Sequence, residues 1–394
     1  MIVIRNVAID FDFLQEAFQH LSFTVQITPL SYPCEIARTR CLAVKKCLNQ
    51  DADRNKMTRK DPLKRATLKT VADLTGLSPS TVSLSLRNGG NVSPQTREKI
   101  AQAAKIVGYV PNRAGVRLRT GRTNVFSLVL STDNNSIDFT RMLIQGIGSH
   151  LEGTRFHLNV VPEIATRDPL DSVRYVLENR SSDGIILTHT TANDPRVEYL
   201  LDAGFPFVCH GRTAFQSPHA FHDFNVEKLV RTAVTRLVDL GRKNLLLISL
   251  DNVTTNFANT VATFESEVAK AGATGRLISA PEHLASAKDA RRYAETLARD
   301  FPEFDGIICI NELLALAFIS GLQESGQVLG REYDLVCRQT TDILPTLYPD
   351  IDTISEDLFA TGEELAKLLI KVVAGEDVRE LKTFHEPKLC WRKS

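Results

Sequence analysis

From about residue 124 to the C-terminus, the sequence alternates between short apolar runs and longer amphipathic segments. Short apolar runs are typical of strands buried on both faces of a parallel sheet, and amphipathic segments are typical of the helices between them. Repeated units of this kind predict a doubly wound α/β body, in which ligands bind beyond the carboxyl ends of the strands. The roughly 270 residues suit two lobes that enclose a small ligand. The predicted strands are 125–130, 156–161, 184–187, 205–209, 245–250, 306–310 and 335–337, and the predicted helices include 142–151, 228–240, 258–271, 287–299 and 313–324.

Three closely spaced helices are predicted before this body. Thr67 and Ser78 are suitable N-caps, Pro79 is well placed at a first helical position, and Gly76 ends the first helix. A third helix starts at Ser93, which is again followed by proline. Two short helices joined by a glycine turn make a helix-turn-helix, although such pairs also occur in proteins that do not bind DNA. The apolar positions assigned to these helices are Leu68, Val71, Ala72, Leu74, Val82, Leu84, Leu86, Ile100, Ala103, Ala104 and Val107.

The net charge of zero conceals a strong asymmetry along the chain. Residues 57–122 contain thirteen Lys or Arg against three Asp or Glu, whereas residues 123–394 contain 27 against 38. A short basic module is therefore joined to a longer acidic body. This distribution favours a nucleic-acid partner for the module, with affinity dominated by phosphate contacts.

Five short motifs occur within the basic module in one uninterrupted order. They are Thr-Leu-x-x-Val-Ala from residue 67, Gly-Leu-Ser-x-x-Thr-Val-Ser from 76, Val-Ser-x-x-Thr-Arg-Glu-Lys-Ile from 92, Gly-Tyr-x-Pro-Asn-Arg from 108 and Leu-Arg-Thr-Gly-Arg-Thr from 118. In this respect the chain closely resembles the lactose-repressor (LacI/GalR) family of bacterial transcription regulators. The resemblance implies a helix-turn-helix headpiece that binds operator DNA and contacts it through Thr67, Leu68, Pro79, Ser80, Thr81, Ser83, Leu84, Arg87, Ser93, Thr96, Asn112, Arg113, Arg117 and Leu118.

Two of these positions have particular consequences. The family usually carries arginine where this chain has Leu84, and leucine offers only apolar contacts, such as with a thymine methyl, in place of a bidentate contact to guanine. Leu118 matches the leucine that the family's hinge helix inserts into the minor groove, where a wedge bends the DNA. Because Gly115 weakens an isolated helix by roughly 1 kcal/mol relative to alanine, we expect this hinge to become ordered on DNA.

The resemblance also implies a body similar to periplasmic sugar-binding proteins, crossed three times by the chain. The predicted domains are an N-terminal extension (1–56), the headpiece (57–111), the hinge (112–122) and the body (123–394). Within the body, one lobe is predicted to contain 123–223 with 356–375, and the other 224–355 with 376–394. Because Met57 is followed by a basic lead, we hypothesise that translation begins there; the alternative is that residues 1–56 are an accessory segment.

Polar and aromatic residues at the ends of the predicted strands are candidates for binding a small effector. Carboxylates, amides, an arginine and an aromatic ring suit a polyol, because hydroxyls need donors and acceptors while C–H faces stack on rings. Asn256 is added because it lies early in the helix after the fifth strand, where the family often has an arginine. The predicted effector residues are Asp133, Asn134, Ser136, Phe139, His210, Arg212, Asn256, Asn311, Glu312, Gln339 and Glu356.

The chain departs from the family pattern in this region, where Glu312 and the triplet at 337–339 replace the usual Asp and Gly-Phe-Asp. The segments 210–212 and 222–225 resemble a subgroup of α-proteobacterial regulators associated with α-glucosides. A glucoside or another plant-derived sugar is therefore the predicted effector, and a purine or nucleoside is the alternative.

Other classes of protein lack supporting motifs. The sequence has no Gly-x-Ser-x-Gly elbow, no Walker loop and no His-Glu-x-x-His motif, so we predict neither an enzyme nor a bound metal or cofactor. Seven scattered cysteines indicate reduced thiols, and Cys209, Cys309 and Cys337 lie in apolar runs. Since the sequence has neither a secretion signal nor a membrane-length apolar segment, we predict a cytoplasmic, nucleoid-associated protein with no membrane partner.

Together these features predict a homodimeric repressor of carbohydrate-utilisation genes that is released from DNA by a sugar, with a tetramer as an alternative assembly. The reverse polarity, in which the ligand acts as a corepressor, is also an alternative. A plain periplasmic sugar-binding protein would carry a secretion signal and lack a headpiece. An enzyme with an added headpiece would turn over its bound ligand.

Overall fold

The computed structural model describes residues 66–86, 92–110, 113–131, 137–164, 168–250 and 253–392. It divides into two compact units, which meet in sequence between Val110 and Pro111. The predicted extension at 1–56 and the question of where translation begins lie outside the described residues.

The described residues of the first unit form three helices with the predicted caps. They are α1 (Leu68–Thr75), α2 (Pro79–Ser85) and α3 (Pro94–Ile106). Thr67, Ser78 and Ser93 each accept a hydrogen bond from a backbone N–H in the first turn of the following helix, which satisfies a donor that lacks an intrahelical partner. Gly76 ends α1 in the left-handed conformation (φ 69°), which glycine adopts without steric cost. The helix-turn-helix prediction is therefore confirmed.

Two of the apolar positions assigned to α1 and α2 lie at the surface. Leu74 is 53% exposed and Leu84 is 40% exposed, whereas Thr75 and Ser85 are buried. The hydroxyl of Thr75 donates to the carbonyl of Val71 (2.8 Å), so a polar side chain fits inside without an unsatisfied group. Helical geometry turns position 84 away from Val82, and Leu84 therefore lies on the outer surface of α2.

The second unit contains two six-stranded sheets covered by helices. In sequence order its elements are α4 (Arg113–Thr120), β1 (Val125–Ser131), α5 (Ile137–Leu151), β2 (His157–Glu163), α6 (Leu170–Glu178), β3 (Gly184–Leu187), α7 (Pro195–Asp202), β4 (Phe207–His210), β5 (Ala220–Phe224), α8 (Val226–Asp239), β6 (Asn244–Ile248), α9 (Thr255–Ala271), β7 (Thr274–Ile278), α10 (Pro281–Leu284), α11 (Ala287–Asp300), β8 (Gly306–Cys309), α12 (Glu312–Glu324), β9 (Asp334–Gln339), α13 (Ile343–Leu347), β10 (Asp352–Ser355), α14 (Leu358–Ala374), β11 (Lys382–His385) and β12 (Lys388–Cys390). The first lobe has the strand order β11-β5-β4-β3-β1-β2, and the second lobe has β12-β10-β9-β8-β6-β7. Among the strands of the described residues, all pairings are parallel except that of β12 with β10.

The two lobes repeat one local motif. The tetrapeptide Asp-Gly-Ile-Ile starts at residue 183, entering β3, and again at residue 305, entering β8. The carboxylate of Asp183 accepts hydrogen bonds from the backbone N–H groups of Thr123 and Asn124, and that of Asp305 accepts them from 243 and 244. Each aspartate therefore holds the backbone at the start of the first strand of its own lobe, β1 or β6.

Two glycines bring α5 and α14 into close contact across the first lobe. A Cβ at Gly146 would lie 2.0 Å from the carbonyl oxygen of Phe359, and one at Gly362 would lie 2.4 Å from that of Leu143. This backbone approach explains Gly146 as a packing residue, and not as part of a phosphate-binding loop.

The C-terminal tail contributes to both lobes, whereas residues 376–394 were predicted to belong to the second lobe. Lys382–His385 forms β11 and pairs with β5 of the first lobe, whereas Lys388–Cys390 pairs with β10 of the second. The assignment of the whole tail to one lobe is wrong because backbone pairing splits it at the third crossover. The side chain of Glu386 at this crossover binds Asn225 (3.0 Å) and Lys228 (2.8 Å) at the first crossover.

Candidate functional site

A cavity of about 210 Å³ lies between the two lobes, beyond the carboxyl ends of their strands. The position agrees with the rule for parallel α/β sheets, because successive strands deliver their C-terminal loops to the same edge. First-lobe and crossover residues at its wall are Phe139, Thr140, His189, Thr190, His210, Gly211, Asp223 and Phe224. Second-lobe residues include Ser249, Thr254, Asn256, Phe257, Thr260, Asn311, Glu312, Arg338 and Thr340.

On the first-lobe side, two imidazoles flank one phenyl ring. The ring of Phe139 lies 5.5 Å from that of His189 and 5.6 Å from that of His210. Burial lowers the pKa of His189 to about 4, with the guanidinium groups of Arg196 and Arg338 acting in the same direction. Burial also lowers the pKa of His210 well below its ordinary value, with His222 contributing. Both rings are therefore neutral at pH 7, and each presents one donor and one acceptor.

The backbone at His189 has a positive φ of 55°, which is unusual for a residue other than glycine. Arg196 holds this segment, since its Nη2 donates to the carbonyl oxygens of Thr188 and His189 (both 3.2 Å). The guanidinium is itself paired with Asp194 (2.7 Å) and Glu163 (2.7 Å). This buried network positions the His189 ring at the cavity.

On the second-lobe side, the start of α12 supplies two polar residues. Asn311 caps the helix, because its side-chain oxygen accepts from the backbone N–H of Leu314 (3.0 Å). The carboxylate of Glu312 accepts from the backbone N–H groups of Thr340 (3.1 Å) and Thr341 (2.9 Å) and from both hydroxyls. Burial raises the pKa of Glu312, while these hydrogen bonds oppose the increase. Glu312 thus fastens the loop after β9 to α12.

Arg338 extends from the end of β9 to the cavity and to two of the crossovers. Its Nε and Nη2 both contact Oε2 of Glu356, which lies directly after β10. The guanidinium carbon is 5.2 Å from the centre of the Phe224 ring, at the end of β5. The side chain of Arg338 is 16% exposed and that of Glu356 is 0% exposed, so this pair is largely removed from water.

A second ion pair lies beneath the first-lobe wall. Arg212 donates to Asp223 (2.6 Å) and to Glu227 (2.6 Å). Burial raises the pKa of Asp223, and the hydrogen-bonded Arg212 acts in the opposite direction. Asp223 lines the cavity, whereas the Arg212 side chain is engaged behind it.

The two lobes are also joined directly beside the cavity. The backbone N–H of Thr255, the first residue of α9, donates to the carbonyl oxygen of Thr190 in the first lobe (3.1 Å). An isolated antiparallel bridge connects Thr191 with Thr254. We call these four threonines the interlobe seam.

The predicted effector residues divide into three groups. Phe139, His210, Asn256, Asn311 and Glu312 line the cavity. Arg212, Gln339 and Glu356 lie behind its wall, because Arg212 and Glu356 are held in ion pairs and Gln339 accepts from the hydroxyl of Thr353 (2.7 Å). Their predicted direct contact with the ligand is not supported by these positions. Asp133, Asn134 and Ser136 lie outside the described residues.

Several residues at the wall were absent from the sequence prediction. His189 and Thr190 follow β3 just as Asn311 and Glu312 follow β8, so the repeated Asp-Gly-Ile-Ile motif was the signal that would have identified them. From the triplet at 337–339, Gln339 was the predicted effector residue. The neighbouring residue, Arg338, is the one that lines the cavity. Thr260 lies one helical turn after Asn256 on α9 and so shares its face, and Phe257 follows Asn256 directly.

The described headpiece residues predicted to contact DNA are exposed or half-buried. Pro79, Ser80 and Leu84 on α2 are exposed, and Thr81 and Ser83 are half-buried. Thr67 and Ser93 are exposed at N-caps, and Thr96 is half-buried. Leu68 packs partly against the headpiece core, which limits its availability to DNA. Arg87 and Asn112 lie outside the described residues.

The predicted hinge is helical, as α4, and Arg113 is its first residue. Leu118 is 89% exposed, an unusual environment for an apolar side chain. Arg117 is also exposed, but its Nη2 donates to the carbonyl oxygen of Asn179 (2.9 Å) at the end of α6. The hinge is therefore attached to the first lobe through Arg117.

No helix in the described part of the chain is long and apolar enough to cross a membrane. Within the same residues, no three His, Cys, Asp or Glu side chains are grouped so as to hold a metal ion. Cys209, Cys309 and Cys337 are buried free thiols, as predicted.

Comparisons with known proteins agree with both units. Residues 67–112 match the model of bacterial regulatory proteins of the lacI family, and residues 226–394 match the periplasmic binding protein-like domain. The transcriptional regulator AglR of Rhizobium meliloti (strain 1021) is 29% identical over 315 residues, which cover 77% of this chain and 86% of AglR.

Two solved structures share the fold. The structure of a lac repressor dimer bound to operator and the anti-inducer ONPF has a TM-score of 0.72 and 20% identity, covering 84% of this chain and 99% of that chain. The CelR–cellobiose complex has a TM-score of 0.61 and 23% identity, covering 84% and 100%.

A helix-turn-helix unit followed by a two-lobed α/β body defines the class of DNA-binding transcription regulators, and the protein is a regulator of this class and not an enzyme. Its first unit carries a helix-turn-helix domain of the lacI family and its body a periplasmic binding protein-like domain, as in the LacI-family regulators to which the chain is similar.

Proposed function

We propose that this regulator represses carbohydrate-utilisation genes and is released from its operator when a small sugar binds between the lobes. The observation that carries the proposal is the cavity, whose wall combines aromatic rings with amide, hydroxyl, imidazole and guanidinium groups. The solved complex of CelR with cellobiose supports a sugar, since it shares this fold. The proposed site of action is the cytoplasm, at the nucleoid.

The chemistry of the wall suits a polyol. The neutral imidazoles of His189 and His210 supply ring nitrogens that donate or accept, although Nδ1 of His189 is bonded to the hydroxyl of Thr188 (3.1 Å). The side-chain amides of Asn256 and Asn311 add further donors. Phe139 and Phe257 provide surfaces for the C–H faces of a sugar ring. A hydroxyl that both donates and accepts is satisfied by such pairs, whereas an apolar ligand would leave them buried without partners.

We assign 57–111 to the headpiece and 112–122 to the hinge, with two subunits binding the half-sites of a palindromic operator. Pro79, Ser80, Thr81, Ser83 and Leu84 are proposed to face the major groove, while Leu118 enters the minor groove. A homodimer is required because one headpiece covers one half-site. Basic residues of the module supply phosphate contacts, so operator affinity falls steeply with salt.

The effector acts on DNA through the relative orientation of the lobes. A sugar that contacts both lobes changes that orientation only if it binds one state more tightly than the other, by roughly 1 to 3 kcal/mol of coupling. The bond from Arg117 to Asn179 connects the hinge to the first lobe, and is proposed to transmit the change.

Screening the purified protein by thermal shift is the direct test of the effector class. We expect stabilisation by a mono- or disaccharide and a parallel loss of affinity for the operator selected from genomic DNA. Nucleosides and purine bases serve as the comparison panel. A strong shift with a purine and none with any carbohydrate contradicts the sugar proposal, and tighter operator binding with the sugar shows that the ligand is a corepressor.

Thr255→Pro should weaken effector binding roughly two- to tenfold, because it removes one interlobe hydrogen bond. Thr255 is the first residue of α9, where proline is tolerated, and Thr254 has the extended backbone (φ −73°, ψ 150°) that precedes proline readily. Titration calorimetry with the sugar from the screen measures the change.

Thr255→Ala is the matched control for this variant, since it keeps the backbone N–H and should bind like the wild type. Equal affinities for the proline and alanine variants would show that the interlobe seam does not contribute to closure over the ligand.

A further inference from the structure

Resting on the proposed function, we infer that the Arg338–Glu356 pair makes this pocket select an uncharged sugar and reject sugar acids and sugar phosphates. Arg338 is the only guanidinium or ammonium group among the described residues that line the cavity. A guanidinium ordinarily recognises carboxylate and phosphate with bidentate geometry, so an arginine here would by itself favour an anionic ligand.

The geometry of the pair removes that preference. Two nitrogens of Arg338 are directed at Oε2 of Glu356, and the Glu356 side chain is completely buried. Packing of the guanidinium over the Phe224 ring at 5.2 Å holds it in this orientation. The charge of Arg338 is therefore balanced within the protein, while its other N–H groups remain donors at the cavity wall.

Other ionisable groups at the wall do not restore a positive charge. Asp223 is bound by Arg212, which also binds Glu227, so this cluster carries excess negative charge. The Glu312 carboxylate is held by Thr340 and Thr341 and faces no cation within hydrogen-bonding distance among the described residues. His189 and His210 are half-buried, and desolvation keeps both rings neutral at pH 7.

An anionic ligand in this cavity would lie near the carboxylates of Asp223 and Glu312 without an uncompensated cation to bind it. Like charges repel more strongly in a protein cavity than in bulk water, because water screens them less there. A neutral sugar avoids this repulsion and still receives hydrogen bonds from Arg338. Arg338 thus acts as a hydrogen-bond donor whose positive charge is neutralised by Glu356. Glu356 therefore determines the selectivity.

Glu356→Gln tests the inference by gain of binding. The substitution keeps the size of the side chain but removes its charge, which leaves Arg338 uncompensated. We expect the wild type to bind the neutral member of matched pairs (glucose and glucuronate, galactose and galacturonate, glucose and glucose 6-phosphate) and to bind its charged partner at least roughly tenfold more weakly. In Glu356→Gln, affinity for the charged partner should rise roughly ten- to a hundredfold, the range of a charge-assisted hydrogen bond.

Two controls accompany this variant in calorimetry on the full-length protein. Glu295→Gln removes an exposed carboxylate from α11 that does not line the cavity, and should leave the selectivity unchanged. The double variant Arg338→Gln/Glu356→Gln should lose the gain, because the guanidinium that would hold the anion is absent.

The outcomes separate the selectivity from the proposed function. A wild type that binds a neutral sugar, with no gain for acids in Glu356→Gln, overturns the selectivity and leaves the sugar-responsive function standing. Preference of the wild type for a uronate or sugar phosphate also overturns it. Binding of no carbohydrate by the wild type or the variant contradicts the proposed function itself.

Discussion

Replacing Leu118 by alanine is expected to weaken operator binding roughly ten- to a hundredfold while leaving sugar affinity unchanged. The side chain is 89% exposed on the hinge helix, so the substitution removes little packing within the protein. On DNA the leucine would be buried between base pairs, and removing about three carbon atoms from an apolar contact costs roughly 2 kcal/mol. Fluorescence anisotropy with labelled operator measures the affinity.

Leu118→Met is the matched control for this experiment, because it retains the apolar volume of the wedge and should retain most of the affinity. Arg117→Ala probes a different contact, since it releases the hinge from Asn179. If Leu118→Ala binds operator as tightly as the wild type, the minor-groove assignment is wrong.

Gly146→Ala is expected to destabilise the first lobe by roughly 2 to 4 kcal/mol, which corresponds to a fall in Tm of roughly 5 to 10 °C. A Cβ at this position would lie 2.0 Å from the backbone oxygen of Phe359, so α5 and α14 must separate. Backbone atoms do not move aside as a flexible side chain does. Scanning calorimetry of the full-length protein measures the shift.

Gly148→Ala supplies the comparison within the same helix. It lies two residues further along α5, is exposed, and has no atom within 4 Å of the added Cβ. Alanine there should stabilise the helix by up to roughly 1 kcal/mol. A Tm for Gly146→Ala that is equal to or above that of Gly148→Ala would refute the close helix contact.

Much of the body was predictable because its central strands are buried on both faces. The runs at 184–187 and 306–310 coincide with β3 and β8 for this reason. Strand β5 was missed because it contains His222 and Asp223, which are buried through partners supplied by distant segments. The hydroxyl of Thr383 pairs with His222 (2.8 Å), and Arg212 pairs with Asp223.

The residues of the cavity could likewise be predicted only in part from the sequence. Phe139, His210 and Asn311 were found because strand ends in parallel sheets converge at one edge. Residues flanking them were not distinguished, since the sequence does not show which of two adjacent side chains points inward. Arg338 reaches the wall while Gln339 is bonded to Thr353.

The helix-turn-helix, its caps, the α/β class of the body and the resemblance to the LacI family could be predicted from the amino-acid sequence, because these depend on local periodicity, capping chemistry and contiguous motifs. Which polar groups remain available to a ligand became evident from the folded structure alone. That property depends on ion pairs and hydrogen bonds between residues far apart in the chain, such as Arg338 with Glu356 and Glu312 with Thr340. Local patterns carry no information about those partners, because the partners meet only when the lobes are folded.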